Sequence, residues 1–278
     1  MKKITMSAIS LIIALATITA LAGCTDKSGD NTLSLKPSGA EDATYEKHPD
    51  VPDPLRIGVP NVSFPPMITW DGGSLTGFEA DMIAETAKRL GVSYEIIPIE
   101  PGTEREKLED DEIDCAWGNM PDTGRQRLFY NMTDPYITVP QAVLVYDGSG
   151  IGAKEDINSI SVIMSTPAET LADEEKLGIG FKRASSSRDY VKTFEQLAEG
   201  YSDAVVCDIT VAAYMQKNDG KLKILDDKAA EAQYSVAFSH SGDKGKIKEA
   251  ADKVLKDISN EGKASELSQK WFGQDYMK

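Results

Sequence analysis

Hydrophobic and polar positions recur along the chain with the periods of strands and helices. Short apolar runs typical of strands lie at Leu55–Val59, Val92–Ile99 and Ile113–Trp117. Between the first two, Gly77–Leu90 carries apolar residues at helical spacing, and Gly91 is a typical helix end. A weaker, charged helix at Glu104–Asp111 precedes the third run. This β-α-β-α-β order predicts a parallel sheet with helices on its faces.

A second series of the same kind occupies the middle of the chain. Its strand patterns are Gln141–Tyr146, Ser159–Met164, Phe181–Ser185, Asp203–Cys207, Leu222–Leu225 and Tyr234–Ser239. Its helical patterns are Ala168–Glu175, Arg188–Glu199 and Thr210–Gln216, and Lys246–Ser259 and Ala264–Phe272 follow as terminal helices. Two successive α/β series predict a protein of two lobes with a cleft between them.

Polar turns follow the ends of predicted strands, where open α/β sheets bind ligands. Pro60–Met67 is predicted as a loop because its prolines cannot continue a sheet. At Gly118 the third strand breaks into an irregular polar turn, and Arg125 then opens a short helical segment. The planar guanidinium of Arg125 suits a carboxylate ligand, and a surface salt bridge is its alternative role.

The first 23 residues have the features of an export signal. Lys2 and Lys3 precede an apolar run at Ile9–Ala22 that is too short for a comfortable membrane span. The run ends in Leu-Ala-Gly-Cys24, which resembles a bacterial lipobox in which Cys24 is acylated and becomes the first mature residue. A chance cysteine beside a plain signal peptide is the alternative. We predict that residues 24–54, which are polar, form a flexible tether between the lipid anchor and the body.

Net charge excludes two classes of partner. The formal charge of the 278-residue chain is −15, and it becomes −17 without residues 1–23, which hold two lysines and no acid. Nucleic-acid phosphates and anionic lipid headgroups both require free Lys and Arg. We therefore expect an acidic, soluble monomer with no nucleic-acid partner, held at the membrane only by the lipid on Cys24.

Common catalytic and metal-binding patterns are missing from the sequence. The only histidines are His48 and His240, and no Ser-His-Asp set, zinc spacing or phosphate loop is present. We predict no cofactor and no metal. Cys115 and Cys207 each lie in an apolar run, which favours buried thiols, although a disulfide between them stays open at this point.

Five stretches, taken in order, resemble the family 3 extracellular solute-binding proteins of bacterial transporters, of the polar amino-acid-binding type. They are LRIGV…SFPPM, LTGFEADMIAETAKRLGV, IDCAWGNM…TGR…TDPY, EQLAEGYSDAVVCD and QKWFG, within residues 55–273. The resemblance implies an α/β fold of the type II periplasmic-binding-protein class, in which each lobe is a mostly parallel sheet flanked by helices. It implies crossover strands near Ile137–Pro140 and Ala232–Val236, lobe 1 at 55–138 and 235–278, and lobe 2 at 139–234.

The resemblance also implies a function. The protein would capture a free amino acid outside the cytoplasm, at the surface of a Gram-positive cell or in a Gram-negative periplasm. It would deliver the amino acid to an ABC transporter permease and its ATPase. Two alternatives remain open, a ligand sensor and a dehydratase-like or lytic enzyme with Glu100 or Glu169 as catalytic acid. We predict a binding protein and not an enzyme, because Arg125 and Asp208 both match ligand-binding residues of the family.

The same resemblance assigns residues to the ligand's carboxylate. Arg125, the backbone N–H of Met120 and the helix start at Thr166 are the candidates. Simple helix capping is the alternative role of Thr166. Pro167 stands where the family usually has Thr or Ser, which puts one carboxylate contact in doubt.

Other residues are assigned to the ammonium group and the side chain. Asp208 and the carbonyl of Gly118 would accept from the ammonium, and a helix N-cap is the alternative for Asp208. Phe64 and Trp117 would form opposite walls, with core packing as their alternative. Asn61 replaces an acid found in some basic-amino-acid binders, which disfavours a cationic side chain.

Overall fold

The computed structural model of the protein describes residues 33–35 and 45–277. The predicted export signal and lipidation site, Cys24, lie outside these residues. In the described part of the chain, no helix has the length and apolar character needed to cross a membrane.

Strands and helices alternate along the chain much as the apolar pattern predicts. The first half contains β1 (Leu33–Leu35), β2 (Leu55–Pro60), β3 (Thr69–Asp71), β4 (Ser74–Thr76), α1 (Phe78–Leu90), β5 (Tyr94–Ile99), α2 (Glu104–Glu109), β6 (Cys115–Ala116), α3 (Gln126–Phe129), β7 (Asn131–Met132) and β8 (Ile137–Tyr146). The second half contains β9 (Ser159–Ile163), α4 (Pro167–Asp173), β10 (Arg183–Ser187), α5 (Tyr190–Ala198), β11 (Ala204–Asp208), α6 (Ile209–Asn218), β12 (Leu222–Tyr234), β13 (Ala237–Phe238), α7 (Lys244–Asn260) and α8 (Lys263–Phe272).

Eleven of the strands form two mixed sheets, and β3 and β4 pair separately as a two-stranded sheet. We call the parts built on the two larger sheets lobe 1 and lobe 2. Lobe 1 has the strand order β1-β5-β2-β6-β13-β7, and lobe 2 has the order β10-β9-β11-β8-β12. Pairing is parallel among β5, β2 and β6 and among β10, β9 and β11, as the β-α-β order predicts. The remaining pairs are antiparallel. They include the pairs of β8, the first strand after the chain enters lobe 2, and of β13, the first strand after it returns to lobe 1.

Two adjacent segments connect the lobes. The chain leaves lobe 1 after Met132 and enters β8 at Ile137, and it returns between Tyr234 and Ala237. The first connection lies directly before the range expected for its crossover, Ile137–Pro140, and the second lies within its range, Ala232–Val236. Ile137 is paired with Tyr234, and the N–H of Tyr136 donates to the carbonyl of Tyr234 at 3.0 Å. Paired connections of this kind are suited to a hinge.

Helix α1 shows how the sequence positions lobe 1. Phe78, Met82, Ile83, Ala87 and Leu90 are all buried, which confirms the predicted amphipathic face. Gly91 ends the helix in the left-handed conformation, with φ of 68°, and its N–H bonds to the carbonyls of the last turn. Glu79 is buried with this apolar face, which the sequence analysis did not anticipate.

Part of the predicted tether belongs to the folded body. Val51 is buried, and the N–H of His48 donates to the carbonyl of Leu90 at 2.9 Å. Further upstream, β1 pairs antiparallel with β5. Ordered structure therefore begins before Leu55. The polar composition of this segment did not reveal it because most of these contacts are made by the backbone.

The two cysteines of the body are free and buried. They therefore form no disulfide, the alternative that the sequence left open. Burial raises the pKa of both thiols, so neither is poised as a nucleophile.

Candidate ligand site between the lobes

Asp208 ends β11 as a buried carboxyl group. It accepts hydrogen bonds from Gln141 Nε2 and from the Tyr234 hydroxyl, both at 2.5 Å. Burial raises the pKa of Asp208 to about 6, and the two hydrogen bonds oppose that rise. Asp208 stands at the N-cap of α6 but makes no side-chain capping bond. Both of these donors are neutral, and no ion pair to the Asp208 carboxylate is formed by the side chains that the structure describes.

Strand register brings Gln141 to Asp208. The two residues lie directly opposite each other in the antiparallel pair of β8 and β11. Side chains opposite each other in such a pair project from the same face of the sheet. Gln141 is not among the residues predicted from the sequence, because the register of two strands about 60 residues apart cannot be read from their separate apolar patterns.

A second buried carboxyl group, Glu79, lies in lobe 1. It accepts from the Trp117 indole at 2.9 Å and from the Tyr136 hydroxyl at 2.9 Å. Burial raises the pKa of Glu79 to about 7, and the negative charge of Asp208 contributes to the rise. The sequence did carry one signal: Glu79 shares a helical stripe with Met82, Ile83 and Thr86 at the spacing of a buried face.

Each acid is therefore linked to one connecting segment. Tyr136 precedes β8 and donates to Glu79 of lobe 1, whereas Tyr234 ends β12 and donates to Asp208 of lobe 2. The backbones of the two tyrosines are hydrogen-bonded to each other. Two buried carboxyl groups from different lobes are consequently each hydrogen-bonded to the hinge, and the charge of Asp208 raises the pKa of Glu79.

Phe64 contacts the other lobe. Its ring packs against Tyr190 at the start of α5, with the ring centroids 5.4 Å apart. Tyr190 also packs against Phe194, at 5.6 Å, and it lies close enough to Asp208 for the acid's charge to raise the pKa of its hydroxyl, after burial as the larger cause. The Phe64 ring, which we expected to cover a ligand, is thus in contact with Tyr190, a residue that was not among the predicted site residues.

Arg125 lies where two interlobe cavities adjoin. One cavity of about 470 Å³ is lined by Arg125 with Thr138, Pro167 and Gln233, and another of about 300 Å³ is lined by Arg125 with Met120 and Glu169. The Arg125 side chain is exposed and makes no hydrogen bond or ion pair to any other residue in 45–277. Its guanidinium is therefore available to an anionic group.

Comparison with known proteins settles the family. The profile of the bacterial extracellular solute-binding proteins, family 3, matches residues 55–274. The chain belongs to this family.

Named relatives of this solute-binding protein bind amino acids. It is 23% identical over 206 residues to the arginine-binding extracellular protein ArtP of Bacillus subtilis, covering 73% of this chain and 80% of the relative. It is 23% identical over 235 residues to a glutamine-binding protein of Geobacillus stearothermophilus, covering 81% and 88%. The crystal structure of the arginine-, lysine-, histidine-binding protein ArtJ from that organism superposes with a TM-score of 0.69 at 26% identity, covering 80% of this chain and 96% of ArtJ. The type II periplasmic-binding-protein fold is therefore established.

Other predicted site residues of the solute-binding protein lie in hydrogen-bonded positions around the cleft. The Thr166 hydroxyl donates to the Ile163 carbonyl at 2.7 Å, so it does not cap α4. Asn61 is exposed and donates to Glu100 Oε1 at 2.8 Å. The other candidate acid, Glu169, accepts from the Ser165 N–H at 2.7 Å. Neither glutamate stands as an isolated acid.

The turn after β6 is shaped by packing in lobe 1. Trp117 is completely buried with its indole on Glu79, which favours its core alternative over an open wall. Gly118 has φ of 95°, a backbone conformation that favours glycine, and a Cβ there would lie 2.6 Å from Ile68 Cδ1. The carbonyl of Met120 accepts from the Ser235 N–H at 3.1 Å, and its side chain joins the lobe 1 core.

The structure thus divides the eight predicted residues of the solute-binding protein into separate groups. Arg125 lines both interlobe cavities, and Met120 lines the smaller one. Asp208, Phe64 and Trp117 line neither of these cavities. They lie among the buried acids and aromatic side chains described above. An interlobe hydrogen bond from Asn119 Nδ2 to the Ser165 carbonyl, at 2.8 Å, lies at the turn that precedes Arg125.

Proposed function

We propose that this protein is the amino-acid-binding lipoprotein of an ABC importer. Its lipid-modified Cys24 would hold it on the outer side of the cytoplasmic membrane. As a monomer, it would capture a free amino acid between its lobes and deliver it to a permease that is driven by an ATPase. Membership of the family supports the binding role, and the lipobox-like stretch that ends at Cys24 supports the anchor.

The observation that carries the proposal is that Asp208 is buried and has no cationic partner among the side chains that the structure describes. A buried charge is costly unless it is paired and hydrogen-bonded. The ammonium group of an amino acid would supply that pair. Arg125, on the other lobe, would bind the carboxylate of the same zwitterion, so that the ligand holds the two lobes together.

The relatives support this class of ligand but do not select one amino acid. Their names include arginine, lysine, histidine and glutamine binders. These ligands differ in side-chain charge and share only the α-ammonium and the α-carboxylate. We propose that Asp208 and Arg125 recognise these shared groups. An enzymatic role is not proposed, because Glu100 and Glu169 each serve a hydrogen bond within the protein.

Ligand identification with one charge-neutralising variant tests the proposal. Mass spectrometry of purified protein should detect a co-purified amino acid, and calorimetry on refolded, ligand-free protein should rank L-arginine, L-lysine, L-histidine and L-glutamine. Asp208→Asn should weaken binding of every ligand, by roughly a hundredfold to several-thousandfold, because the loss of a buried charge pair costs about 3–5 kcal/mol. Asp147→Asn, an exposed control, should leave affinity unchanged. Normal binding by folded Asp208→Asn would refute the assignment.

A further inference from the structure

Gln141 carries a polar atom that the described protein does not satisfy. The side chain is completely buried, and its Nε2 donates to Asp208. Its Oε1 has no hydrogen-bond donor among the side chains and backbone groups that the structure describes. A buried carbonyl oxygen without a donor is unfavourable, and native structures contain few of them.

The two residues that share the Asp208 hydrogen bonds with Gln141 do not provide the missing donor. Ionised Asp208 is an acceptor only, and the hydroxyl hydrogen of Tyr234 is used on Asp208 Oδ2. A carboxamide is planar and small, so Oε1 lies within one amide width of the nitrogen that contacts Asp208. A group with several N–H bonds that binds Asp208 can therefore reach Oε1 as well.

We propose that Gln141 contacts the ligand, with Oε1 accepting a hydrogen bond from the same ammonium group that Asp208 binds. This inference rests on the proposed function. A primary ammonium has three N–H groups, and the carbonyl of Gly118 is the third acceptor expected from the sequence. Gln141 then has two roles. Its Nε2 orients the Asp208 carboxylate, and its Oε1 accepts a hydrogen bond that only a ligand nitrogen with a further N–H group can donate.

The proposal has a consequence for specificity. An amino acid whose nitrogen carries two methyl groups keeps its positive charge and one N–H. That N–H can satisfy Asp208 but leaves Oε1 without a donor. Gln141 would therefore select primary over N,N-dimethylated amines, whereas Asp208 alone recognises charge.

A double cycle that combines the Gln141→Leu substitution with dimethylation of the ligand nitrogen tests this contact. The probes are L-arginine, L-lysine, L-histidine and L-glutamine, each with its Nα,Nα-dimethyl derivative, and affinities are measured by calorimetry on Gln141→Leu and on the wild type. We expect Gln141→Leu to weaken binding of the primary amines about 10- to 100-fold, the effect of one hydrogen bond to a charged group. The methylation penalty should be at least about tenfold smaller in Gln141→Leu than in the wild type. Gln196→Leu, on α5, is the matched control and should show the wild-type penalty.

A merely structural role for Gln141 gives a different result. If Gln141 only orients Asp208, Gln141→Leu weakens both forms of each ligand equally and the methylation penalty does not change. That result would overturn the contact while leaving the proposed function intact. If the wild type binds none of the four primary amino acids, both the proposed function and this inference fall.

Discussion

The rings of Phe64 in lobe 1 and Tyr190 in lobe 2 pack in a T-shaped arrangement across the cleft, with an interplanar angle of 77°. Both side chains are buried, so the pair removes apolar surface from water only while the lobes are together. The contact therefore favours closure before any ligand contributes. Edge-to-face aromatic pairs contribute about 0.5–1.5 kcal/mol beyond the burial of their area.

The first prediction follows from this contact. Tyr190→Ala should shift the ligand-free protein towards an open form, seen as a larger radius of gyration in small-angle X-ray scattering. Tyr190→Phe should stay close to the wild type, because it keeps the ring. Tyr214→Ala, which removes an exposed tyrosine of the same lobe, is the control. Identical scattering by Tyr190→Ala and the wild type would mean that the pair does not bias closure.

Alanine substitutions at Arg125 and Arg127 should affect different properties, ligand binding for Arg125 and stability for Arg127. Arg125→Ala should abolish practical binding of all amino acids, by roughly a hundredfold or more, and leave the free energy of unfolding unchanged. Arg127 instead donates to the Asp122 carboxylate at 2.6 and 2.5 Å and to the Thr133 carbonyl at 3.0 Å. Arg127→Ala should therefore lower stability by about 1–3 kcal/mol, because Asp122 keeps only the Ser235 hydroxyl as a side-chain donor.

Calorimetry and urea denaturation on the same two variants separate these outcomes. If Arg125→Ala unfolds more easily and still binds, the guanidinium has a structural role. If Arg127→Ala loses binding without losing stability, the carboxylate site lies at Arg127 instead.

The pH dependence of the free energy of unfolding should reveal the protonation of the buried Glu79 carboxyl group. Burial raises its pKa from 4.5 to about 7, so between these values the folded protein binds more protons than the unfolded chain. The stabilising contribution is complete below about pH 4.5 and is lost as pH rises through about 7. Relative to Glu79→Gln, the wild type should lose about 3 kcal/mol of unfolding free energy over this range. Urea denaturation at a series of pH values checks this, and parallel profiles for the two proteins would contradict it.

Anchoring is tested separately from the site. In cells, the wild type should partition with membranes, and Cys24→Ala should be released or remain unprocessed, because the acyl chains would attach to this sulfur. Cys115→Ala changes a buried thiol and should not alter partitioning. Equal membrane retention by Cys24→Ala would remove the lipoprotein proposal.

Local pattern was enough to predict most of the fold. Helix α1 and the strand before Asp208 have unambiguous apolar periods, and their observed bounds differ from the predicted ones by a residue or so. Strand β12 was predicted only at its start, Leu222–Leu225, and its length was not anticipated. Its middle residues are polar and lack the alternation of a half-buried strand, yet backbone pairing with β8 extends it from Leu222 to Tyr234.

The site was less predictable because it depends on long-range packing. Arg125 and Asp208 could be selected from their places after strand ends. The roles of three other residues could not be predicted in this way, because they arise from strand register and from the approach of one lobe to the other. These residues are Glu79, Gln141 and Tyr190. Trp117 shows the reverse case, since a residue beside a ligand-binding turn can point into the core.

The position of β13 in the lobe 1 sheet constrains the order of folding. β13 lies between β6 and β7, so β7 has no neighbour in the sheet until Ala237 and Phe238 arrive. Lobe 2, in contrast, comes from one continuous stretch and carries all of its own strands. In a chain exported from its N-terminus, as we propose here, the lobe that begins first would be completed last. Its half-built sheet would wait, with an unpaired strand, until the whole of the other lobe has crossed the membrane.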